Sequence, residues 1–130
     1  MKYELLELKQ ELKEELTHNI LPFWMDKMVD EKNGGFLGQI TGKDVLVSDA
    51  PKGGILNARI LWTFSSAALH LKNKLYLEYA KRAKDYIFEH FFDNENGGTD
   101  WMLNADGTPA DTKKQIYSQA FFMYAFVEYY

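Results

Sequence analysis

The chain carries one six-residue phrase twice, first as Asp30-Glu31-Lys32-Asn33-Gly34-Gly35 and again as Asp93-Asn94-Glu95-Asn96-Gly97-Gly98. The copies are sixty-three residues apart, and each follows a long segment of apolar periodicity. A phrase that returns at the same point of a helix–loop–helix cycle indicates one supersecondary unit used twice. Downstream, residues 52–55 align with residues 113–116 at an offset of sixty-one, so the second loop is two residues shorter.

Apolar periodicity predicts four helices. Leucines recur every three or four residues over residues 3–28, which predicts an amphipathic helix with a kink at residues 19–21, just before Pro22. A helix over residues 54–71 is rich in small side chains, and one from about residue 112 is aromatic nearly all round, so both are expected to be inner helices. The segment 74–91 keeps its apolar residues on one stripe, as an outer helix does.

The segments between these helices predict short hairpins. Residues 36–42 and 45–47 flank one turn, and residues 99–103 precede the turn at Asp106 and Gly107. Each Gly-Gly pair is expected to permit a tight turn, with the preceding Asn side chain capping it. The phrases resemble calcium loops only superficially, because Thr41 and Asn104 stand where an EF-hand needs a glutamate.

The alternation of outer and inner helices predicts an all-α toroid of helical hairpins. Six hairpins with this period need about 370 residues, so the chain would hold about two of them. We therefore expect residues 1–130 to be the N-terminal portion of one barrel domain, with no internal boundary. The aromatic segment 121–130 has no capping residue, and we expect the remainder of the same domain to cover it.

Composition excludes several classes of protein. Apolar residues make up 46% of the 130 residues, which is too many for a disordered chain. The net charge is -4 with no basic cluster, which argues against a nucleic-acid partner. There is no cysteine, so disulfides and thiolate metal sites are excluded. No signal peptide or apolar membrane span is evident, and a cytoplasmic location is expected.

Arg59 and Tyr117 are the candidate functional residues. Arg59 lies in the second turn of a small and apolar helix, where burial of a guanidinium is unfavourable unless an anion meets it. That anion is either a ligand or a loop carboxylate such as Asp49. Tyr117 opens the fourth helix as Arg59 opens the second, and its phenol either contacts a ligand or packs as an ordinary rim tyrosine. His18, His70 and His90 are expected to be structural or solvent-facing, since no pair has metal-ligand spacing.

Four segments in order resemble the N-terminal third of the N-acylglucosamine 2-epimerase family, most closely its cellobiose 2-epimerase branch. They are Asp30 to Phe36, Lys52-Gly-Gly-Ile-Leu-Asn-Ala-Arg-Ile-Leu-Trp-Thr-Phe-Ser65, Gly97-Gly-Thr-Asp-Trp101 and Lys114-Gln-Ile-Tyr-Ser-Gln-Ala-Phe121. The resemblance implies an (α/α)6 barrel and a carbohydrate isomerase that inverts C2 of a reducing-end sugar through a cis-enediolate. It implies no metal and no nicotinamide cofactor, with Arg59 stabilising the enediolate and Tyr117 contacting a sugar oxygen.

The chain also departs from the family. The family's acid/base histidine pair comes from later hairpins, and His18, His70 and His90 match neither member. The resemblance therefore implies an active full-length enzyme and an inactive 130-residue piece. A mannose-type aldose–ketose isomerase, an N-acylglucosamine 2-epimerase and a non-catalytic helical binding module remain alternatives. The expected partner is a reducing-end disaccharide or an N-acyl hexosamine, with neither nucleic acid nor membrane.

Overall fold

The computed structural model describes residues 2–130, and it contains four main helices and three short strands. The helices are α1 at Lys2–Glu15, α2 at Gly54–Leu71, α3 at Lys74–Tyr86 and α4 at Ile116–Tyr129. The strands are β1 at Lys52–Gly53, β2 at Met102–Leu103 and β3 at Pro109–Asp111. The prediction of a mainly helical fold is confirmed. Across residues 2–130, none of the helices has both the length and the apolarity that a bilayer span requires.

The chain after α1 stays helical as far as the first Gly-Gly phrase, but its turns widen. Leu16–Ile20 and Phe23–Lys27 are π-helical, and the N–H of Leu21 donates to the carbonyl oxygen of Leu16, five residues back. Pro22 follows directly, and a proline cannot donate to the preceding turn. The sequence predicts a kink at residues 19–21, and the structure shows π-helical turns around Pro22, which accommodate the hydrogen bond that the proline cannot donate.

Helix α2 is the centre of the core. It packs against both α3 and α4, and its Ala58, Leu61 and Phe64 side chains are buried. Phe64 stacks on Phe36 and on Tyr79, with ring centroids 6.1 and 5.3 Å apart. The expectation that α2 is buried is confirmed, since it packs between α3 and α4 and carries small residues at these contacts.

The three strands form one antiparallel sheet that joins the two halves of the chain. Lys52 pairs with Leu103, and Met102 pairs with Asp111. The predicted hairpin after the second phrase is therefore present as β2 and β3. The hairpin after the first phrase is reduced to a single bridge between Ile40 and Leu46. The sequence did not predict the pairing of β1 with β2, because it joins segments fifty residues apart.

The two Gly-Gly loops repeat the same hydrogen bonds. The Asp30 carboxylate accepts from the N–H groups of Lys32 and Asn33, and Asp93 accepts from the N–H groups of Glu95 and Asn96. The prediction that the asparagine caps the turn was therefore wrong, since the aspartate three residues earlier caps it. All four glycines have positive φ angles between +64° and +79°, which glycine adopts without steric cost.

Helix α4 begins four residues later than predicted. Residues 112–115 are not helical, and Gln115 has an extended ψ of 121°. The Lys114 ammonium lies 2.9 Å from the Asp93 carboxylate and 2.5 Å from that of Asp100, which holds this stretch against the second loop. In the first half Lys52 makes the equivalent ion pair with Asp30, so Lys114 rather than Lys113 corresponds to Lys52.

Candidate functional site

The Arg59 side chain is exposed on the second turn of α2. Among the residues that the structure describes, no carboxylate lies within ion-pair distance of its guanidinium, so the alternative of a salt bridge to Asp49 was wrong. The cavity beside it has a volume of about 450 Å³. It is mainly apolar and is lined by Ile20, Trp24, Ile55, Leu56, Arg59, Ile60, Thr63 and Phe64. A guanidinium in such a setting is available to an anionic or strongly polar ligand.

Tyr117 lies on the first turn of α4, and its side chain is 64% exposed. Its ring meets that of Phe121 edge to face at 5.0 Å, and Phe121 meets Tyr124 edge to face at 6.2 Å. Tyr124 in turn stacks on Trp62 of α2, with centroids 5.1 Å apart and an interplanar angle of 11°. We call these four rings, at Trp62, Tyr117, Phe121 and Tyr124, the aromatic row.

The aromatic row connects the surroundings of the two candidate residues. Trp62 is one helical turn from Arg59. Tyr124, which stacks on Trp62, is close enough to Arg59 for the two to interact electrostatically. Burial and the Glu128 carboxylate raise the pKa of Tyr124, while Arg59 opposes them. The helix starts are also adjacent, since a Cβ on Gly54 would lie 3.1 Å from Ser118 Oγ.

Arg59 and Tyr117 nevertheless line different cavities. Tyr117 lines a shallow apolar hollow of about 320 Å³ with Ala120, Phe121 and Tyr124, and Arg59 does not contribute to it. The structure thus places both side chains at neighbouring helix starts without direct contact between them. Chemically, the surface offers one fixed positive charge, two phenols and stacking faces suited to the C–H faces of a sugar ring.

None of the three histidines lines the Arg59 cavity or the Tyr117 hollow. His18 is exposed on the widened turn after α1, where its Nδ1 lies 3.1 Å from the carbonyl oxygen of Glu14. His70 is exposed in the last turn of α2. His90 packs on the Tyr86 ring at 4.4 Å and lines a separate cavity with Asp93 and Lys114. Within residues 2–130, no three His, Asp or Glu side chains are grouped so that they could hold a metal ion.

Sequence reasoning missed Trp24, Trp62 and Tyr124. A helical-spacing signal was present for two of them, since Trp62 follows Arg59 by three residues and Tyr124 follows Tyr117 by seven. These spacings put each pair on one helix face. Trp24 carries no such signal, because it approaches Arg59 only through the packing of the first helical segment on α2.

Comparison with known proteins relates the chain to sugar epimerases. The sequence profile of the N-acylglucosamine 2-epimerase (GlcNAc 2-epimerase) family matches residues 34–130. The cellobiose 2-epimerase of Bacteroides fragilis is 54% identical over 123 residues, covering 95% of this chain and 31% of the relative. The chain therefore spans about a third of the length of this relative.

Solved structures agree with this relationship. The cellobiose 2-epimerase of Bacillus thermoamylovorans superposes with a TM-score of 0.90 at 42% identity, covering 93% of this chain and 31% of that structure. A D-mannose isomerase superposes with a TM-score of 0.74 at 21% identity, covering 84% of this chain and 27% of that structure. At that lower identity the likeness concerns the fold alone. The helices described above match the N-terminal part of an (α/α)6 barrel.

Proposed function

Because the chain belongs to the N-acylglucosamine 2-epimerase family, we propose that the full-length protein containing it is a cellobiose 2-epimerase-like enzyme. The substrate would be a disaccharide with a reducing end, and the reaction would invert C2 of the reducing sugar. The observation that carries this proposal is the exposed Arg59 guanidinium, without an ion-pair partner in the described chain and next to the aromatic row. It is supported by the 54% identity to a cellobiose 2-epimerase.

The proposed reaction begins when the sugar ring opens and exposes the C1 carbonyl. A base removes the C2 proton, the electron pair of the broken C–H bond forms the C1=C2 double bond, the π pair of the carbonyl moves onto O1, and a cis-enediolate results. A second group then returns a proton to the opposite face of C2. Arg59 would hold the two enediolate oxygens with its planar fork, and Tyr117 would donate a hydrogen bond to a sugar oxygen.

The proton-transfer pair would come from outside residues 1–130. None of His18, His70 and His90 lines the cavity beside Arg59, and the family resemblance assigns this work to histidines of later hairpins. We therefore propose that the 130-residue chain alone does not epimerise cellobiose, lactose or N-acetylmannosamine. Turnover above a buffer control that is lost on replacing one of these three histidines would overturn this assignment.

An apolar stripe on α4 supports the proposal that the chain is part of a larger domain. Met123 is 70% exposed and Val127 is 79% exposed. With Ile116, Ala120 and Tyr130 they follow a spacing of three and four residues along one helix face. Such a stripe is unfavourable in water, and we propose that the remainder of the barrel domain covers it.

The direct test is to incubate the full-length protein with cellobiose in D2O and follow the products by proton NMR. The proposal predicts a product with mannose at the reducing end and deuterium at C2, because the removed proton exchanges with solvent. A fructose-ended product would indicate an aldose–ketose isomerase instead. Reaction with N-acetylmannosamine but not with cellobiose would indicate an N-acylglucosamine 2-epimerase. Binding of sugars without any product would favour a non-catalytic module.

A further inference from the structure

The first Gly-Gly loop is fastened by a buried lysine. The Lys52 ammonium donates to the carbonyl oxygen of Gly34 at 2.7 Å and lies 2.8 Å from the Asp30 carboxylate. The Lys52 and Asp30 side chains are only 1% and 3% exposed. The Tyr86 ring covers the ammonium with its centroid 4.6 Å away, a distance at which a cation–π attraction operates.

An arginine of α3 fastens the other side of the same loop. The Arg82 guanidinium donates to the carbonyl oxygens of Asp30 and Gly35, at 2.7 and 2.9 Å. The Tyr86 ring lies so close that a Cβ on Gly35 would come within 2.7 Å of it. The loop therefore has almost no room to shift relative to Lys52.

The second Gly-Gly loop is also held by a lysine ion pair, but this one is more exposed to solvent. The Lys114 ammonium lies 2.9 Å from Asp93 and 2.5 Å from Asp100. Its side chain is 31% exposed, and that of Asp93 is 17% exposed. Water competes for these charges, so the second ion pair should be the weaker of the two.

Each lysine stands just before an inner helix. Lys52 is two residues before the start of α2, and its backbone is also paired with Leu103 of β2. Lys114 is two residues before the start of α4. Anchoring the lysine therefore sets where and in which direction each helix begins. The first turn of a helix has no intrahelical partners for its N–H groups, so its position depends on such outside contacts.

We propose that Lys52 and Lys114 are positioning residues, which fix the starts of α2 and α4 and thereby the placement of Arg59 and Tyr117. This inference rests on the function proposed above. The two Gly-Gly loops then orient the helices that contact the substrate, and they do not themselves bind a ligand. Lys52 should matter more than Lys114, because its ion pair is buried and is closed over by Tyr86.

The test compares Lys52→Met, Lys114→Met and the control Lys81→Met in the full-length protein. Lys81 forms an exposed ion pair with Asp85 on α3, away from both loops. With cellobiose as substrate, Lys52→Met should lower kcat on the order of tenfold to a hundredfold, since a small misplacement of a catalytic contact has that effect. Lys114→Met should lower kcat less, and Lys81→Met should leave it unchanged. Unchanged kcat in folded Lys52→Met would overturn the proposal.

A double-mutant cycle separates positioning from general stability. If Lys52 acts through Arg59, the effects of Lys52→Met and Arg59→Lys on kcat are not additive. Additive effects would mean that Lys52 acts on turnover independently of Arg59, and they would overturn the proposed positioning of Arg59. Lys52→Met could fail to fold because it leaves the buried Asp30 carboxylate without an opposite charge. In that case the double variant Asp30→Asn with Lys52→Met removes the buried charge as well, and it is compared with Arg59→Lys in the same way.

Hydrogen exchange provides a measurement that does not need activity. In Lys52→Met, the amides of Ala58, Arg59 and Ile60 should exchange faster than in the unmodified protein, with the last turn of α2 unaffected. Equal protection in both proteins overturns the positioning role whether or not the protein is an epimerase. Absence of turnover in the unmodified protein together with faster local exchange would instead refute the proposed function alone.

Discussion

Replacing Gly35 with alanine tests how tightly the first Gly-Gly loop packs against the Tyr86 ring. Gly35 has a φ of +64°, and an alanine in this left-handed region costs roughly 1–2 kcal/mol. The new Cβ would also lie 2.7 Å from Cγ of the buried Tyr86 ring, and overpacking of this kind costs roughly a further 1–3 kcal/mol. The expected loss in the free energy of unfolding is therefore about 2–5 kcal/mol.

Two other glycines separate these two contributions. Gly97 has a φ of +79°, and nothing lies within 4 Å of the position that a Cβ would take there, so Gly97→Ala should cost only the roughly 1–2 kcal/mol of backbone strain. Gly42 has neither a positive φ nor a close neighbour, so Gly42→Ala should leave the stability unchanged or raise it slightly.

The assay is urea unfolding of the three variants, followed by circular dichroism at one temperature. The difference between Gly35→Ala and Gly97→Ala isolates the contact with Tyr86, and it should largely disappear when Tyr86 is also replaced by alanine, which removes the Cγ and Cδ atoms that the new Cβ would meet. Equal losses for Gly35→Ala and Gly97→Ala would refute the reasoning, because they would mean that the Tyr86 ring moves aside without cost.

Two further predictions concern titrating groups. Burial, with the Asp30 charge, raises the pKa of Tyr86 to about 12, and no hydrogen-bond partner for its buried hydroxyl lies within residues 2–130. Tyr86→Phe should therefore raise the free energy of unfolding by roughly 1 kcal/mol. This gain should grow above pH 10 in a pH series of melts, because the tyrosine then ionises in the unfolded chain but not in the folded one. The control Tyr117→Phe, at an exposed ring, should not raise stability at neutral pH. Hydrogen bonds from the Asn96 N–H and Lys114 hold the pKa of Asp93 well below 3.8. The ionised Asp93 carboxylate therefore adds to the free energy of unfolding above pH 3.8, and this stabilisation is lost as the pH falls further. Asp93→Asn should then be less stable than the unmodified protein at pH 6, and the two unfolding curves should converge towards pH 2; a constant difference would contradict the assignment.

Local chemistry explains why most helix bounds could be predicted from the sequence. Helix α2 begins at Gly54, with Gly53 at its N-cap, and it ends before Lys72, which has a left-handed φ of 52°. Asn73 then caps α3 by accepting from the N–H of Leu75. Each of these signals lies within a few residues of the boundary that it determines. The two Gly-Gly loops could likewise be predicted, because the six-residue phrase that predicts each loop lies within that loop.

Other features could not be predicted because they depend on contacts between distant residues. The start of α4 is delayed because Lys114 is held by Asp93 and Asp100, and no local pattern reports that contact. The burial of Lys52 likewise depends on Asp30 and on the Tyr86 ring, both far along the chain. At the candidate site, residue type identified Arg59 and Tyr117, but their separate cavities follow from the packing between helices.

The central claim is that Arg59 stabilises an enediolate, and it is tested most directly by measuring turnover and melting temperature on the same samples. In the full-length protein, Arg59→Ala should lower kcat by about a hundredfold to a thousandfold, since loss of such a contact costs on the order of 2.7–4 kcal/mol. Arg59→Lys should recover only part of this, because lysine lacks the planar fork. The melting temperature should change little, because Arg59 has no ion pair within residues 2–130 whose loss would destabilise the fold. A lowered melting temperature with normal turnover would contradict the claim.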